Sequence, residues 1–265
     1  MVHYTLRALL ILLPILTFSG YLKAEPSSAA VSAFNSYVSA VESRLAQQHR
    51  SHDAFLSHVP FGQQRTNLQS GELIIDQITP SAGADIPGAL LHHWRGTAFA
   101  PGAKGADFVH LMRDFNNYPQ HFSPQVIQAK ILTQHDNYLQ AAMRVRQQNV
   151  ITVVMDSTYD IAFGQLDAQH GYSISRSTHI AEIDQPGTKT EHALNAKDEH
   201  GFLWRQNTYW SFEERDGGLY IQIESVSLTR SIPTGMGWVL RPFIESVPRK
   251  SLEFTLRSTR NALFR

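Results

Sequence analysis

The chain of 265 residues contains no cysteine. That excludes a disulfide scaffold, a Cys-x-x-Cys redox centre, thiolate-held zinc or iron–sulfur sites, a cysteine nucleophile and a lipid anchor on an acylated cysteine. It also lacks an excess charge of either sign, with 23 Lys plus Arg against 23 Asp plus Glu. A balanced chain offers no net field for a nucleic-acid backbone or an anionic membrane, so no nucleic-acid partner is expected. Catalytic signatures are missing too: there is no Gly-x-Ser-x-Gly elbow, no His-Glu-x-x-His and no phosphate-binding Gly-x-x-x-x-Gly-Lys. Gly235-Met236-Gly237 lacks the third glycine of a dinucleotide fingerprint. These absences remove any positive argument for an enzyme, and no cofactor or metal is expected.

The one long apolar run, Ala8 to Phe18, is shorter than the roughly 20 residues that span a bilayer. With Arg7 before it and Leu22-Lys23-Ala24 after it, residues 1–24 read as a secretory signal peptide cleaved after Ala24. Removal of Arg7 and Lys23 with that segment leaves 21 basic against 23 acidic residues. The expectation is an exported protein, periplasmic or secreted, and a cysteine-free chain suits an oxidising compartment.

Helical spacing opens the remainder. Val31, Phe34, Val38, Val41 and Leu45 form one apolar stripe in a helix expected over 27–58, started by Pro26-Ser27-Ser28 and stopped by Pro60 and Gly62. His49 and His52 lie three apart on its polar face, and with no third ligand nearby they read as solvated. Strands are expected at 71–78 and 90–99, a helix at 104–117, then strands at 125–133, 138–148, 150–163, 172–184, 202–214 and 218–229. Asp216-Gly217 favours the positive φ of a two-residue hairpin turn. The apolar parity of 219–229 switches between Ile223 and Val226, which a β-bulge would explain. Helical patterns return at 235–247 and 249–264, with Pro242 and Pro248 expected to bend or break the chain between them.

Three polar groups invite a catalytic reading. His92 and His93 are adjacent in a strand and point to opposite faces, so they cannot share one ion. Asp156 and Asp160 share a face at roughly 13 Å, too far for a carboxylate pair. Arg176 and Arg205 sit within strands, where a guanidinium can grip a carboxylate or phosphate or pair with a cross-strand acid.

The element order, with Gly96-Thr97-Ala98-Phe99-Ala100-Pro101, Leu111-Met112-Arg113-Asp114-Phe115-Asn116-Asn117-Tyr118 and Phe122-Ser123-Pro124-Gln125-Val126, resembles the START-like or SRPBCC superfamily. The tail motifs Gly217-Gly218-Leu219-Tyr220, Ser227 to Pro233 and Pro248 to Leu252 are similar to exported bacterial members of that group. The resemblance implies an α+β helix-grip fold, a curved antiparallel sheet wrapped around a long C-terminal helix. It covers roughly 88–265, in a START-like domain expected over 71–265 after an N-terminal helical extension at 25–70, with the helix at 27–58 and the strand at 71–78 outside the common pattern. It further implies a pocket between sheet and C-terminal helix for a hydrophobic small molecule such as a lipid, quinone or polyketide. Its expected lining is Met143, Met155, Tyr159, Arg176, Trp204, Arg205, Trp210, Met236, Trp238 and Phe243, though methionine and tryptophan fill cores as readily as pockets. The implied protein is a monomeric carrier that touches membranes transiently. Two alternatives stand beside it: a cyclase or hydrolase using His93, Arg176 or Arg205 in the same pocket, and an envelope interaction module whose pocket has closed.

Overall fold

The computed structural model describes residues 25–57, 62–78, 86–148, 152–231 and 237–264, with side chains from 246 onward in the last segment. Met236 and the side chains of Trp238 and Phe243 therefore lie outside the described residues, as do the signal segment and the reversal at 149–151.

Helix α1 (Ser28–Gln48) starts where Ser27 Oγ accepts the Ala30 amide at 3.1 Å, satisfying one of the free donors of the first turn. It stops earlier than its periodicity suggests, and the short helix α2 (Gln63–Gln69) follows. The strands are β1 (Ile74–Gln77), β2 (Ala89–Pro101), β3 (Val126–His135), β4 (Tyr138–Gln148), β5 (Thr152–Gln165), β6 (His170–Asp184), β7 (His192–Ala193), β8 (Arg205–Arg215) and β9 (Gly218–Arg230). Between β2 and β3 lie α3 (Gly105–Arg113), a 3-10 turn (Phe115–Asn117) and α4 (Tyr118–His121), so the break expected at Asn117 is a change of helix type. Helix α5 (Gly237–Ala262) closes the chain. Of the bend or break expected at Pro242 and Pro248, no break occurs: each proline removes one amide donor, and the helix runs on through both.

Among the described residues the nine strands form one antiparallel sheet in the order β1-β2-β9-β8-β6-β5-β4-β3, with β7 paired to β6. Asp216 and Gly217 both have positive φ, 58° and 73°, as the tight β8–β9 turn requires. The β2–β9 and β8–β9 registers run without a shift, so the bulge expected near Ile223 is absent. The parity switch has another cause: both faces of β9 are covered. Leu219, Ile221 and Ile223 belong to the core under α5, whereas Val226 and Leu228 belong to the core under α1. A strand buried on both sides loses its polar–apolar alternation.

The inner face carries α5 and α3. On β2 the inward residues Gly96, Ala98 and Ala100 are small, and Leu252 and Leu256 of α5 seat above Gly96, where an added Cβ would lie 2.7 and 2.9 Å from their methyls. Phe108 of α3 packs on Trp210 and Phe212 of β8. The outer face carries α1, whose Ala30, Phe34, Val38, Val41 and Leu45 join Trp204, Tyr209, Val226 and Leu228 in a second core. Phe55, Leu56 and Leu68 extend that cover over Phe99 and Tyr220. The strand order and a long C-terminal helix laid on one face of the sheet define a helix-grip fold.

Candidate functional site

On the inner face α5 packs chiefly against β2, with lesser contact to β1 and β9. The inward residues of β4, β5, β6 and β8 lie to one side of that contact. Tyr159 and Trp210 are buried there, with Met143 partly exposed between the core beneath α3 and the one around Phe115, Leu139 and Ile161. A row of uncharged polar groups crosses four neighbouring strands. The Tyr159 hydroxyl donates to Gln206 Oε1 at 3.4 Å, Gln206 Nε2 donates to Ser225 Oγ at 3.5 Å, and the Gln206 amide donates to Ser177 Oγ at 2.9 Å. Gln206, Ser177, Ser225 and Thr208 are only half-buried, as are Met143 and Phe163, so this part of the inner face is not sealed as a core would be. The two side-chain bonds at 3.4 and 3.5 Å are long and weak, and such bonds are easily exchanged for a ligand's carbonyl or hydroxyl. Burial pushes the Tyr159 phenol above its ordinary value, so it remains a neutral donor. The row contains no carboxylate or imidazole that could take its proton, and what it can do chemically is orient a polar group on an apolar molecule.

The charged residues gather on the opposite face, beneath α1. His93 and Glu224 are almost fully buried; His93 Nε2 lies 2.9 Å from Glu224 Oε2, and Tyr37 Oη is 2.9 Å from His93 Nδ1. Arg44 closes on the same Glu224 oxygen at 2.5 Å. Burial pushes the Glu224 carboxyl up, but the His93 hydrogen bond and the Arg44 charge outweigh it and hold the group below the usual carboxylate range. Nearby, His49 Nε2 meets Ser211 Oγ at 2.7 Å with its ring stacked on Tyr172, and burial lowers its pKa to about 4. This arrangement neutralises charge and fastens a helix to a sheet. A linear reading missed it because Tyr37 and His93 are 56 residues apart, His93 and Glu224 131 and Arg44 and Glu224 180. The only local signal was Glu224 placed among apolar neighbours.

The residues expected to line the pocket therefore divide between the two faces. Met143, Tyr159 and Trp210 face inward, and Met155 shares the strand parity of Tyr159. Trp204 is buried in the outer core against α1. Arg176 makes a two-pronged ion pair with Glu42 of α1, at 2.7 Å for both bonds, so its strand side points away from the expected pocket. Arg205 has the strand parity of Asn207 and Tyr209, also outward, and donates to the Trp204 carbonyl at 2.8 Å. The two histidines diverge as adjacency demands: His93 faces α1, and His92 lies 3.2 Å from Thr229 Oγ1, its pKa lowered by burial to about 4. Asp156 and Asp160 are likewise separate, the first clasped by Arg144 and the second accepting from Tyr138 and Gln140. At the rim of α5 an open, polar cavity of about 370 Å³ is lined by Gly71, Glu72, Leu73, Ile75, Arg249, Glu253 and Arg257, none of them foreseen.

These features define a helix-grip protein with a part-open inner face. No family model matches the chain, and no curated protein matches its sequence. Among solved structures it is similar, at distant identity, to START-type and aromatase/cyclase proteins. The STAR-related lipid transfer protein from Xanthomonas axonopodis matches with 16% identity and a TM-score of 0.40, over 69% of this chain and 98% of that one. The Zhui aromatase/cyclase from Streptomyces sp. R1128 matches with 14% identity and a TM-score of 0.44, over 66% and 94%. Human STARD10 matches with 11% identity and a TM-score of 0.44, over 78% and 80%. The likeness is one of fold.

Proposed function

We propose that this chain binds and carries an uncharged hydrophobic small molecule on the inner face of its sheet, beside α5, without transforming it. The observation that carries the reading is the uncharged row Tyr159–Gln206–Ser225, with Gln206 and Ser225 half-buried and Met143 at its border, while His93, Glu224, Arg44 and Arg176 stand on the other face and His92 is buried beside Thr229. The cyclase or hydrolase alternative loses its support by the same placement, since His93 and Arg176 are engaged with Tyr37, Glu224 and Glu42. A donor–acceptor row without charge suits a quinone, a polyketide-like ring or the neutral part of a lipid, where it meets a carbonyl or hydroxyl. Met236, Trp238 and Phe243 remain part of the proposed lining. The proposal includes export after cleavage at Ala24, a monomeric state and transient membrane contact at delivery; among the described residues no helix is long and apolar enough to cross a membrane.

The test is mass spectrometry of an organic extract from protein purified without detergent from its native host's envelope fraction, with N-terminal sequencing of the same sample. A stoichiometric apolar compound is expected, together with a mature terminus at Glu25. Met143→Trp, which fills the open end, should lower occupancy by about tenfold. A clean extract from protein that also takes up no apolar fluorescent probe would overturn the carrier reading.

A further inference from the structure

His52, which sequence spacing paired with His49, meets different partners in the fold. The segment after α1 brings its imidazole against the turn between β5 and β6, where His52 Nε2 lies 2.7 Å from Asp167 Oδ2. From the other side His170 Nδ1 lies 2.9 and 3.0 Å from the two oxygens of the same carboxylate. One ligand atom from each of the three residues falls within 4.8 Å of the others. The geometry points to a binding site for a single divalent transition cation of the zinc type, held by His52 Nε2, His170 Nδ1 and the Asp167 carboxylate, with a fourth position open to water.

Five features support the assignment. Two imidazole nitrogens and one carboxylate oxygen form a donor set that favours Zn²⁺ and its neighbours over Mg²⁺ or Ca²⁺, which prefer oxygen alone. The separations lie close to what metal bonds need: ligands about 2.0–2.1 Å from a tetrahedral zinc stand roughly 3.3 Å apart, so the hydrogen bonds of 2.7–3.0 Å to Asp167 need open by only about half an ångström. Asp167 is already positioned, because its Oδ1 accepts the backbone amides of Gln169 at 2.7 Å and His170 at 2.9 Å. His170 is buried, with Phe55 against its ring and its second nitrogen turned toward Glu213 Oε1 at 4.0 Å. Outer carboxylates of this kind accept the remaining N–H of a metal-bound histidine and fix its tautomer. His52 is largely exposed and leaves an entry path.

Binding needs the lone pairs now covered by N–H. On metal entry the proton of His170 resides on Nε2, facing Glu213, and that of His52 on Nδ1, facing water. The cation would fasten the end of the N-terminal extension to the β5–β6 turn.

The experiment treats the purified protein with EDTA and dialyses it against Zn²⁺. Metal content, thermal unfolding and, after Co²⁺ substitution, the visible d–d spectrum are then measured. Expected are about one zinc per chain, a higher unfolding midpoint with zinc and a tetrahedral cobalt spectrum. His52→Ala, at an exposed position, and Asp167→Asn, which retains the turn, should each lower affinity at least about tenfold with an unchanged circular dichroism spectrum. Zinc uptake that is not saturable, or that His52→Ala leaves unaltered because other histidines hold the metal, would overturn the assignment.

Discussion

His49 and His92 are buried on opposite faces of the sheet, and burial lowers both pKa values from 6.5 to about 4. The folded protein thus holds both rings neutral, whereas the unfolded chain binds a proton on each once the pH drops below 6.5. Their contribution to stability is complete above that value and is lost progressively as the pH falls toward 4. At about pH 5 the linkage relation gives a loss of roughly 2 kcal/mol per histidine relative to about pH 7.5, or roughly 4 kcal/mol for the pair. Four carboxyls shifted downward, Asp167 from 3.8 and Glu191, Glu214 and Glu224 from 4.5, act below those unfolded values and so outside this window. Glu199 is raised by burial and acts in the opposite sense within it, so the wild-type slope alone is insufficient and the comparison with variants decides. Urea unfolding of wild type, His49→Gln, His92→Gln and the double variant at both pH values measures the effect. Each replacement should reduce the pH-dependent loss by about 2 kcal/mol, whatever it does to stability at neutral pH. A double variant with the wild-type pH dependence would refute the assignment of these rings as buried and neutral.

Two further outcomes test the layers of the fold. Gly96→Val places branched carbon where Leu252 and Leu256 seat, within 2.7–2.9 Å at Cβ, and should cost about 1–3 kcal/mol in urea unfolding; an unchanged midpoint would mean that α5 does not press on β2. Deleting residues 25–57 uncovers Tyr209, Val226 and Leu228 and withdraws Phe34, Val38, Val41 and Leu45 from the outer core. At about 1.5–3 kcal/mol per large apolar side chain the loss is roughly 6–12 kcal/mol, comparable with the whole stability of a domain. The truncated chain should therefore fail to fold cooperatively, and a soluble truncation with a wild-type unfolding midpoint would show the extension to be dispensable.

The sequence foretold most of the element order, for identifiable physical reasons. In β5 the alternation of Tyr159, Ile161 and Phe163 with Thr158, Asp160 and Ala162 was readable because one face is more open than the other, and Asp216-Gly217 was readable because few residue pairs accept two positive φ values. The same logic explains the errors. In β9 an alternation was sought where both faces are covered, and a bulge was inferred that the register does not contain. In α5 the two prolines suggested a bend or a break, and no break follows because a helix loses only local hydrogen bonds at each. The partners of His52 were invisible because Asp167 lies 115 residues further along the chain, with His170 three beyond it.

The misplaced site residues share one cause. Period-two spacing fixes which strand residues share a face and leaves open which face meets which helix. For Arg176 and His93 that choice depends on α1, a helix outside the pattern that suggested the fold; Trp204 precedes β8 and escapes its alternation, so it too packs under α1. Once α1 occupies the outer face, Glu42 pairs with Arg176, Tyr37 and Glu224 with His93, and Phe34 with its apolar neighbours joins the core that holds Trp204. An isolated charge in that layer would be costly, and paired charges there fix the position of the helix at little net gain in stability. His93 and Arg176 are thus consumed in attaching a second layer, and beside α5 the inner face presents the hydroxyl and amide row of Tyr159, Gln206 and Ser225, suited to holding an apolar molecule, with His92 buried against Thr229.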